Sequence, residues 1–411
     1  MASPETLELL REALRILPSA TARALAKSQR DRSHRAQASA SDWKPALDYQ
    51  RLAVRLLSFA GAPASELAAS YSVLGELLSR QHFLGTGDAD DARAALKHAV
   101  ALAPSQPAGH RALVSHAFDV VVSRAFEDEL SPERAHAALR SVLRRGARLQ
   151  RLAPALCRLD DGDDGGDLAS LQTAATALRR TGVVGAWAAD DGRLQRARRT
   201  LRAGRPHSIS AALSPDLARR ALSELRALPW NCDDGLTTTG RAPSGRRDRG
   251  AFLMRRCMPA VAEGAIASRG GGSALAAAMT LLKGAEMRTL VGLLAGRRLD
   301  GVTMTQPTRF RVGDGLSLHN DAQDSRVVAF AWHLGWEPGD GGELAFLCPE
   351  EEEGGHLVRP RLNTLTLFRT DATTGAARGF LGAHAVLPVL RNGTDRYALS
   401  GWFTLGDQKP G

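Results

Sequence analysis

At 411 residues the chain is too long for one hydrophobic core, and two or three domains are expected. Its hydrophobic (44%) and charged (24%) fractions are ordinary for a soluble globular protein, and no apolar run reaches the length of a membrane span. The net charge of +10 would suit nucleic acid, but five lysines and three tyrosines leave an arginine surplus without aromatic interleaving, which argues against that partner.

The first residues lack a basic-then-apolar signal, and Glu5, Glu8 and Glu12 do not suit a transit peptide, so a cytoplasmic location is expected. Residues 1–160 read as successive helices, beginning with Leu7, Leu10, Leu14 and Ile16. Within them Tyr71, Leu74, Gly75 and Leu78, then Ala92, Leu96, Ala99 and Pro104, follow the two-helix pattern of a tetratricopeptide repeat. Gly75, Ala92 and Ala99 would let two helices approach, and Pro104 would end the pair. His110 and Leu113, with Ala135, Leu139 and Val142, trace a degenerate second repeat.

Residues 161–206 read as a linker and a basic helical segment. Asp160–Asp167 alternates Asp and Gly without the glutamate that closes a calcium loop. Arg193, Arg196, Arg198, Arg199, Arg202 and Arg205 mark a solvated face. From 207 the texture changes to α+β, with a strand at 208–213, helices at 215–228 and 273–294, and an open loop at 229–250. Strands are then expected at 303–312, 326–334, 342–348, 363–369, 383–390 and 395–405. Their regular spacing indicates a double-sheet barrel. The four cysteines (Cys157, Cys232, Cys257, Cys348) form no C-x-x-C and read as reduced structural thiols.

His319 and Asp321 are one residue apart, and residues two apart on a strand share a face. His384, opening a later strand, could complete a 2-His-1-carboxylate set, which holds a non-haem Fe(II) and leaves positions open. Arg396 presents a planar fork suited to gripping a carboxylate bidentately. The His-x-Asp pair alone is weak evidence in a chain with 11 histidines and 44 acidic residues.

The flanking sequence makes it specific. Arg309-Phe310-x-x-Gly313-Asp314-x-Leu316-x-x-His319-x-Asp321 is followed by Arg326, Gly341-Gly342-Glu343-Leu344, Pro360 and Leu367-Phe368. His384-x-Val386-x-Pro388-Val389 and Arg396-Tyr397-Ala398-Leu399-x-Gly401-Trp402-Phe403 complete the run. In this order and spacing, residues 308–404 resemble the catalytic domain of the prolyl 4-hydroxylase-type Fe(II)/2-oxoglutarate dioxygenases. The resemblance implies a double-stranded β-helix (jelly-roll) domain with flanking helices over 207–408, with its catalytic core at 308–404. It implies His319, Asp321 and His384 as iron ligands and Arg396 as the 2-oxoglutarate anchor, with O2 as oxidant and L-ascorbate keeping the iron ferrous.

Phe310 stands where such enzymes usually carry a tyrosine whose hydroxyl helps hold 2-oxoglutarate; Thr366 or Thr308 could take that part. Asp321 argues for hydroxylation, since related halogenases have a small residue there. The implied reaction hydroxylates a C–H bond, with decarboxylation of 2-oxoglutarate to succinate. The helical half would engage a protein or peptide substrate such as a proline-containing segment. The rival reading is a helical-repeat scaffold whose barrel is weakly active or inactive, and Phe310 is the residue that favours it.

Overall fold

A computed structural model of the protein describes residues 19–38, 44–83, 87–126, 130–150, 168–230, 252–253, 255–256, 272–319, 321, 325–335, 341–347, 356–370, 383–390 and 395–405. The Leu7–Ile16 segment, the aspartate-rich stretch, most of the 229–250 loop, all four cysteines and Trp336 lie outside the described residues. The chain divides into two compact units, Met1–Val120 and Val121–Gly411. That division falls well ahead of the 160/161 boundary expected from the sequence.

The first unit is helical: α1 (Ser19–Ala38), α2 (Lys44–Phe59), α3 (Ala64–Phe83), α4 (Ala89–Leu102) and the start of α5 (Pro107–Phe126). Asp88 caps α4 by accepting from Asp90 N at 2.8 Å, and Asp90 and Asp91 place negative charge at the positive end of the helix. Gly75 is required where α3 crosses α4: a Cβ there would lie 2.4 Å from Leu96 Cδ2. Leu74, Leu77, Leu78, Ala92 and Ala95 close around that crossing in one apolar cluster. Some buried polar groups here find local partners: Gln50 Nε2 donates to Ser70 O (2.8 Å), and Ser79 Oγ bonds His116 Nδ1 (2.9 Å).

The second unit begins with α6 (Pro132–Gln150), α7 (Leu168–Arg179), a short 3-10 turn at Ala186–Ala189, α8 (Asp191–Arg202) and α9 (Pro215–Arg226). Helices α10 (Ala274–Lys283) and α11 (Ala285–Ala295) follow, broken from each other at Gly284. Ser273 caps α10 through Ala276 N, while Glu224 of α9 accepts from Ala274 N (2.9 Å) and Leu275 N (3.0 Å). Gly296 ends α11 in the left-handed conformation, φ 66°. No helix among the described residues is long and apolar enough to cross a membrane.

Among the described residues, eleven strands form two antiparallel sheets. They are β1 (His207–Ser210), β2 (Phe252–Leu253), β3 (Arg255–Arg256), β4 (Gly301–Phe310), β5 (Gly315–His319), β6 (Arg326–Gly335), β7 (Leu344–Phe346), β8 (His356–Val358), β9 (Thr364–Arg369), β10 (His384–Val386) and β11 (Arg396–Thr404). The larger sheet has the order β1-β9-β6-β11-β4-β3 and the smaller β2-β5-β10-β7-β8. Strand alternation sorts the residues of β6. Val328, Phe330, Trp332 and Leu334 face a core shared with Leu171 and Leu178 of α7, Leu194 and Leu201 of α8, and the helices α9 to α11. Ala329 and Ala331 face a second core between the sheets, with Phe310, Phe368, Leu344, Phe346 and Val386.

Residues 168–202, read from the sequence as linker and basic helix, therefore pack into the layer that backs the larger sheet. Their arginines 193, 196 and 199 stay exposed, as a solvated face requires. The strand expectations for β4, β6, β9 and β11 agree with the structure within two residues. Strand β5 carries His319 as the shared-face argument requires but ends there, ahead of Asp321, and it lies, like β8, outside the strand ranges expected from the sequence.

Candidate active site

The sequence Arg311-Val312-Gly313-Asp314 shapes the entry to β5. Gly313 adopts φ 80°, Arg311 N donates to the Asp314 carboxylate at 2.7 Å, and Gly313 N donates to Val389 O at 2.9 Å. Val389 N in turn donates to Asp314 O at 3.1 Å. This lock sets β5 beside β10 so that His319, the last residue of β5, pairs with His384, the first of β10. Their rings lie 4.2 Å apart between centroids.

Asp321 closes the triangle. Its Oδ1 lies 3.6 Å from His319 Nε2 and its Oδ2 lies 3.5 Å from His384 Nε2. One donor atom from each of the three residues falls within 4.8 Å of the others, the only such group of ligating side chains among the described residues. Phe368 meets the His384 ring edge-on at 4.7 Å, and Phe346 lies 5.8 Å from it. These aromatic walls restrict how the imidazole can turn. Two imidazoles and one carboxylate converging from one side fit an Fe(II) ion that keeps open positions.

The three residues open onto a cavity of about 330 Å³ between the sheets, which Phe310, Thr308 and Arg396 also line. Arg396 is the first residue of β11, paired with Phe310 of β4, and is only 2% exposed. Its guanidinium sits over the Phe310 ring at 4.6 Å. Nη2 donates to His333 Nδ1 at 3.4 Å, and Nε has no hydrogen-bond partner among the described residues. Burial lowers the Arg396 pKa to about 9, and the charge of Glu343 opposes that shift. A buried cation with an unsatisfied donor and, among the described residues, no carboxylate in hydrogen-bond contact fits a carboxylate ligand such as an end of 2-oxoglutarate.

His333, to which sequence reasoning assigned no role, follows Ala329 and Ala331 on the inward face of β6, where strand alternation places it. Burial, then the charge of Arg396, holds its imidazole well below the usual pKa and therefore neutral, with Nδ1 free to accept. Phe310 cannot supply a hydroxyl, but its ring floors the guanidinium. Thr308 lines the cavity with its hydroxyl bonded to Ala398 O at 3.3 Å. Thr366 is fully buried in β9, and its hydroxyl shares a 3.1 Å bond with Ser208 of β1.

At the other end of the cavity Arg326 stacks on Trp402 at 3.8 Å, beside Gln306 and Ser400. Trp332 is instead wholly core, as is usual for large aromatics. Other residues of the sequence pattern prove structural. Arg309 and Tyr397 both bind the Asp395 carboxylate, at 2.7 Å and 3.1 Å, and so tie β4 to β11. Gly341 adopts φ 74° where a Cβ would meet Pro388 O at 2.2 Å.

No curated protein sequence matches the chain. Among solved structures, a Pseudomonas putida prolyl-4-hydroxylase is similar at 21% identity and a TM-score of 0.37, covering 52% of this chain and 99% of that one. A 2OG-Fe(II) oxygenase family oxidoreductase from Burkholderia pseudomallei is 17% identical, with a TM-score of 0.34 over 51% of this chain and 89% of its own. Prolyl 4-hydroxylases from Phytophthora capsici give 18% identity and a TM-score of 0.34, over 58% and 66% of the two chains. Residues 305–404 match the 2OG-Fe(II) oxygenase superfamily, whose members use Fe(II), 2-oxoglutarate and O2, and the second unit of this protein thus carries a 2OG-Fe(II) oxygenase domain.

Proposed function

We propose that the protein is an Fe(II)- and 2-oxoglutarate-dependent hydroxylase acting on a C–H bond of a protein or peptide residue such as proline. The observation that carries this reading is the opening of two sites onto one cavity: the His319–Asp321–His384 cluster and the buried cation Arg396. When bound, iron and 2-oxoglutarate supply the oxidising chemistry, consuming O2 and releasing succinate and CO2.

The chain's own residues do the rest. His319, Asp321 and His384 would hold the metal from one side, and the Phe346 and Phe368 rings restrain the imidazole of His384. Arg396 draws the distal carboxylate inward, Phe310 supports the guanidinium from below, and His333 orients it from behind as a neutral acceptor. At the other end of the cavity Gln306, Ser400 and Trp402 offer neutral hydrogen-bonding groups and an aromatic edge, which suit a peptide backbone, beside the Arg326 cation stacked on Trp402. Gln306 Oε1 and Trp402 Nε1 have no partner among the described residues. One group can accept and the other donate, as a peptide amide requires.

The two-sheet arrangement supports a double-stranded β-helix, and we read the paired helices of the first unit as tetratricopeptide-like and suited to a peptide partner. Succinate release from the full-length protein with Fe(II), 2-oxoglutarate and ascorbate, measured against a panel of peptides and small molecules, tests the proposal. Gain of one oxygen atom by a peptide, coupled one-to-one to succinate, is expected. If no peptide is oxidised while a small molecule is, the substrate class is wrong. If no 2-oxoglutarate is consumed under any condition, the scaffold reading replaces it.

A further inference from the structure

Helix α6 lies outside residues 305–404, which match the oxygenase superfamily, yet it touches the smaller sheet. Strand alternation turns Leu344 and Phe346 toward the core between the sheets, and Glu343 and Ala345 outward. That outer face is covered: Ala345 and, across the ladder, Ala385 are fully buried. Helix α6 reaches it at Glu343, where His136 Nε2 lies 2.9 Å from Glu343 Oε2 and both residues are only 8% exposed. Burial alone would raise the Glu343 pKa, but the His136 hydrogen bond, then the residue's own backbone N–H, hold it below the usual range. The carboxylate is therefore ionised and can only accept, so Nε2 donates.

Strand β7 is only three residues long, and it follows Gly341 and Gly342, both left-handed at φ 74° and 68°. Glu343 is thus the first residue after the double-glycine turn with a side chain that can anchor the strand. The bonds from this segment to β10 bracket an iron-site histidine. Leu387 N donates to Glu343 O at 2.9 Å, Leu347 N donates to Ala383 O at 3.1 Å, and between them Phe346 pairs with His384. The Phe346 ring lies 5.8 Å from the His384 ring and meets Phe368 edge-on at 4.9 Å. A shift of Glu343 therefore moves β7, the aromatic wall it carries and the imidazole that this wall holds.

We propose that His136 is a positioning residue for the iron site: by tying Glu343 to α6 it fixes β7, and with it the Phe346 ring and the β10 pairing that aim His384. Helix α6 is then a working part of the metal centre, although it lies well ahead of the matching residues in the sequence. The inference rests on the reading of His384 as an iron ligand.

The test is anaerobic Fe(II) binding to the full-length protein, read by competition with a chromogenic chelator, beside calorimetric 2-oxoglutarate binding to the metal-free protein. His136→Ala is expected to weaken Fe(II) binding about tenfold, the lower end of what loss of an outer partner costs a metal site. Its 2-oxoglutarate affinity should stay unchanged, since Arg396 belongs to the other sheet. Glu343→Ala breaks the same tie without leaving a buried charge and should match it, which keeps the test open if His136→Ala does not fold. His136→Gln, which keeps a donor, should stay within about threefold of the wild type for Fe(II). Leu143→Ala, two turns further along α6 and 1% exposed, should lower the thermal midpoint without changing Fe(II) affinity. Unchanged Fe(II) affinity in both tie-breaking variants, an equal loss for both ligands, or an equal iron loss in His136→Gln or Leu143→Ala overturns the proposal. His384→Ala is the control: if it leaves iron binding intact, the ligand reading fails, whereas a loss there with none in the His136 series removes only the role of α6.

Discussion

The two sheets of the second unit divide the work unequally. The larger sheet has long strands, β4, β6 and β11, whose outer face is sealed by α7 to α11, and it carries Arg396, His333 and Phe310. The smaller sheet is made of strands two to five residues long, and His319 and His384 come from it. One sheet supplies a rigid, desolvated wall in which a buried cation is held for an anion. The other supplies short segments locked by turns, where three ligand atoms converge. Metal binding and co-substrate binding should therefore be separable by substitution.

The largest effect is expected at the smaller sheet. Asp321→Ala or His384→Ala should lower turnover by more than about 100-fold and abolish Fe(II) uptake measured by metal analysis, with the thermal midpoint little changed. Arg396→Ala should leave iron uptake intact but raise the 2-oxoglutarate Kd by roughly 30-fold to 1,000-fold, the usual penalty for truncating a buried charged partner. If either substitution removed both ligands together, the division of labour would be wrong.

Stability sharpens the same contrast. Trp332→Ala empties the core behind the larger sheet and should cost about 3–5 kcal/mol in urea unfolding. Gly341→Ala forces a Cβ into the Pro388 carbonyl from a left-handed backbone and should cost about 1–3 kcal/mol. That strain falls at the β7–β10 edge and should weaken iron affinity more than 2-oxoglutarate affinity.

The smallest effect concerns acid. Burial, then Arg196, lowers the His207 pKa to about 4, and His333 is held well below its usual value; both lie in the larger sheet. The unfolded chain takes up protons at these histidines below about pH 6.5 while the folded chain does not. Their contribution to stability is therefore full above pH 6.5 and is lost as pH falls toward 4. His207→Gln should flatten the denaturation midpoint over that window by roughly one proton's share.

The sequence made the larger sheet more legible than the smaller. Val327–Trp332 and Thr364–Phe368 are apolar, β-branched or aromatic, and long enough for their period to show. Strand β5 contains Gly315 and Ser317 and is defined by its lock to β10, a long-range pairing that no local pattern encodes. That His319, Asp321 and His384 converge was nonetheless legible, because the flanking sequence made their spacing specific. The contact of His333 with Arg396 was not legible for a different reason: it depends on what lies across the sheet, and such a partner exists only after folding.

The central claim is that the His319–Asp321–His384 cluster and Arg396 serve one iron-bound co-substrate. Anaerobic titration of Fe(II) and 2-oxoglutarate, followed by the visible charge-transfer absorption of the chelate, tests it most directly. The absorption should rise in the wild type only when both are present, and should be lost in Asp321→Ala and, at the same 2-oxoglutarate concentration, in Arg396→Ala. Its absence from iron-loaded wild type, or its persistence in Asp321→Ala, would contradict the account.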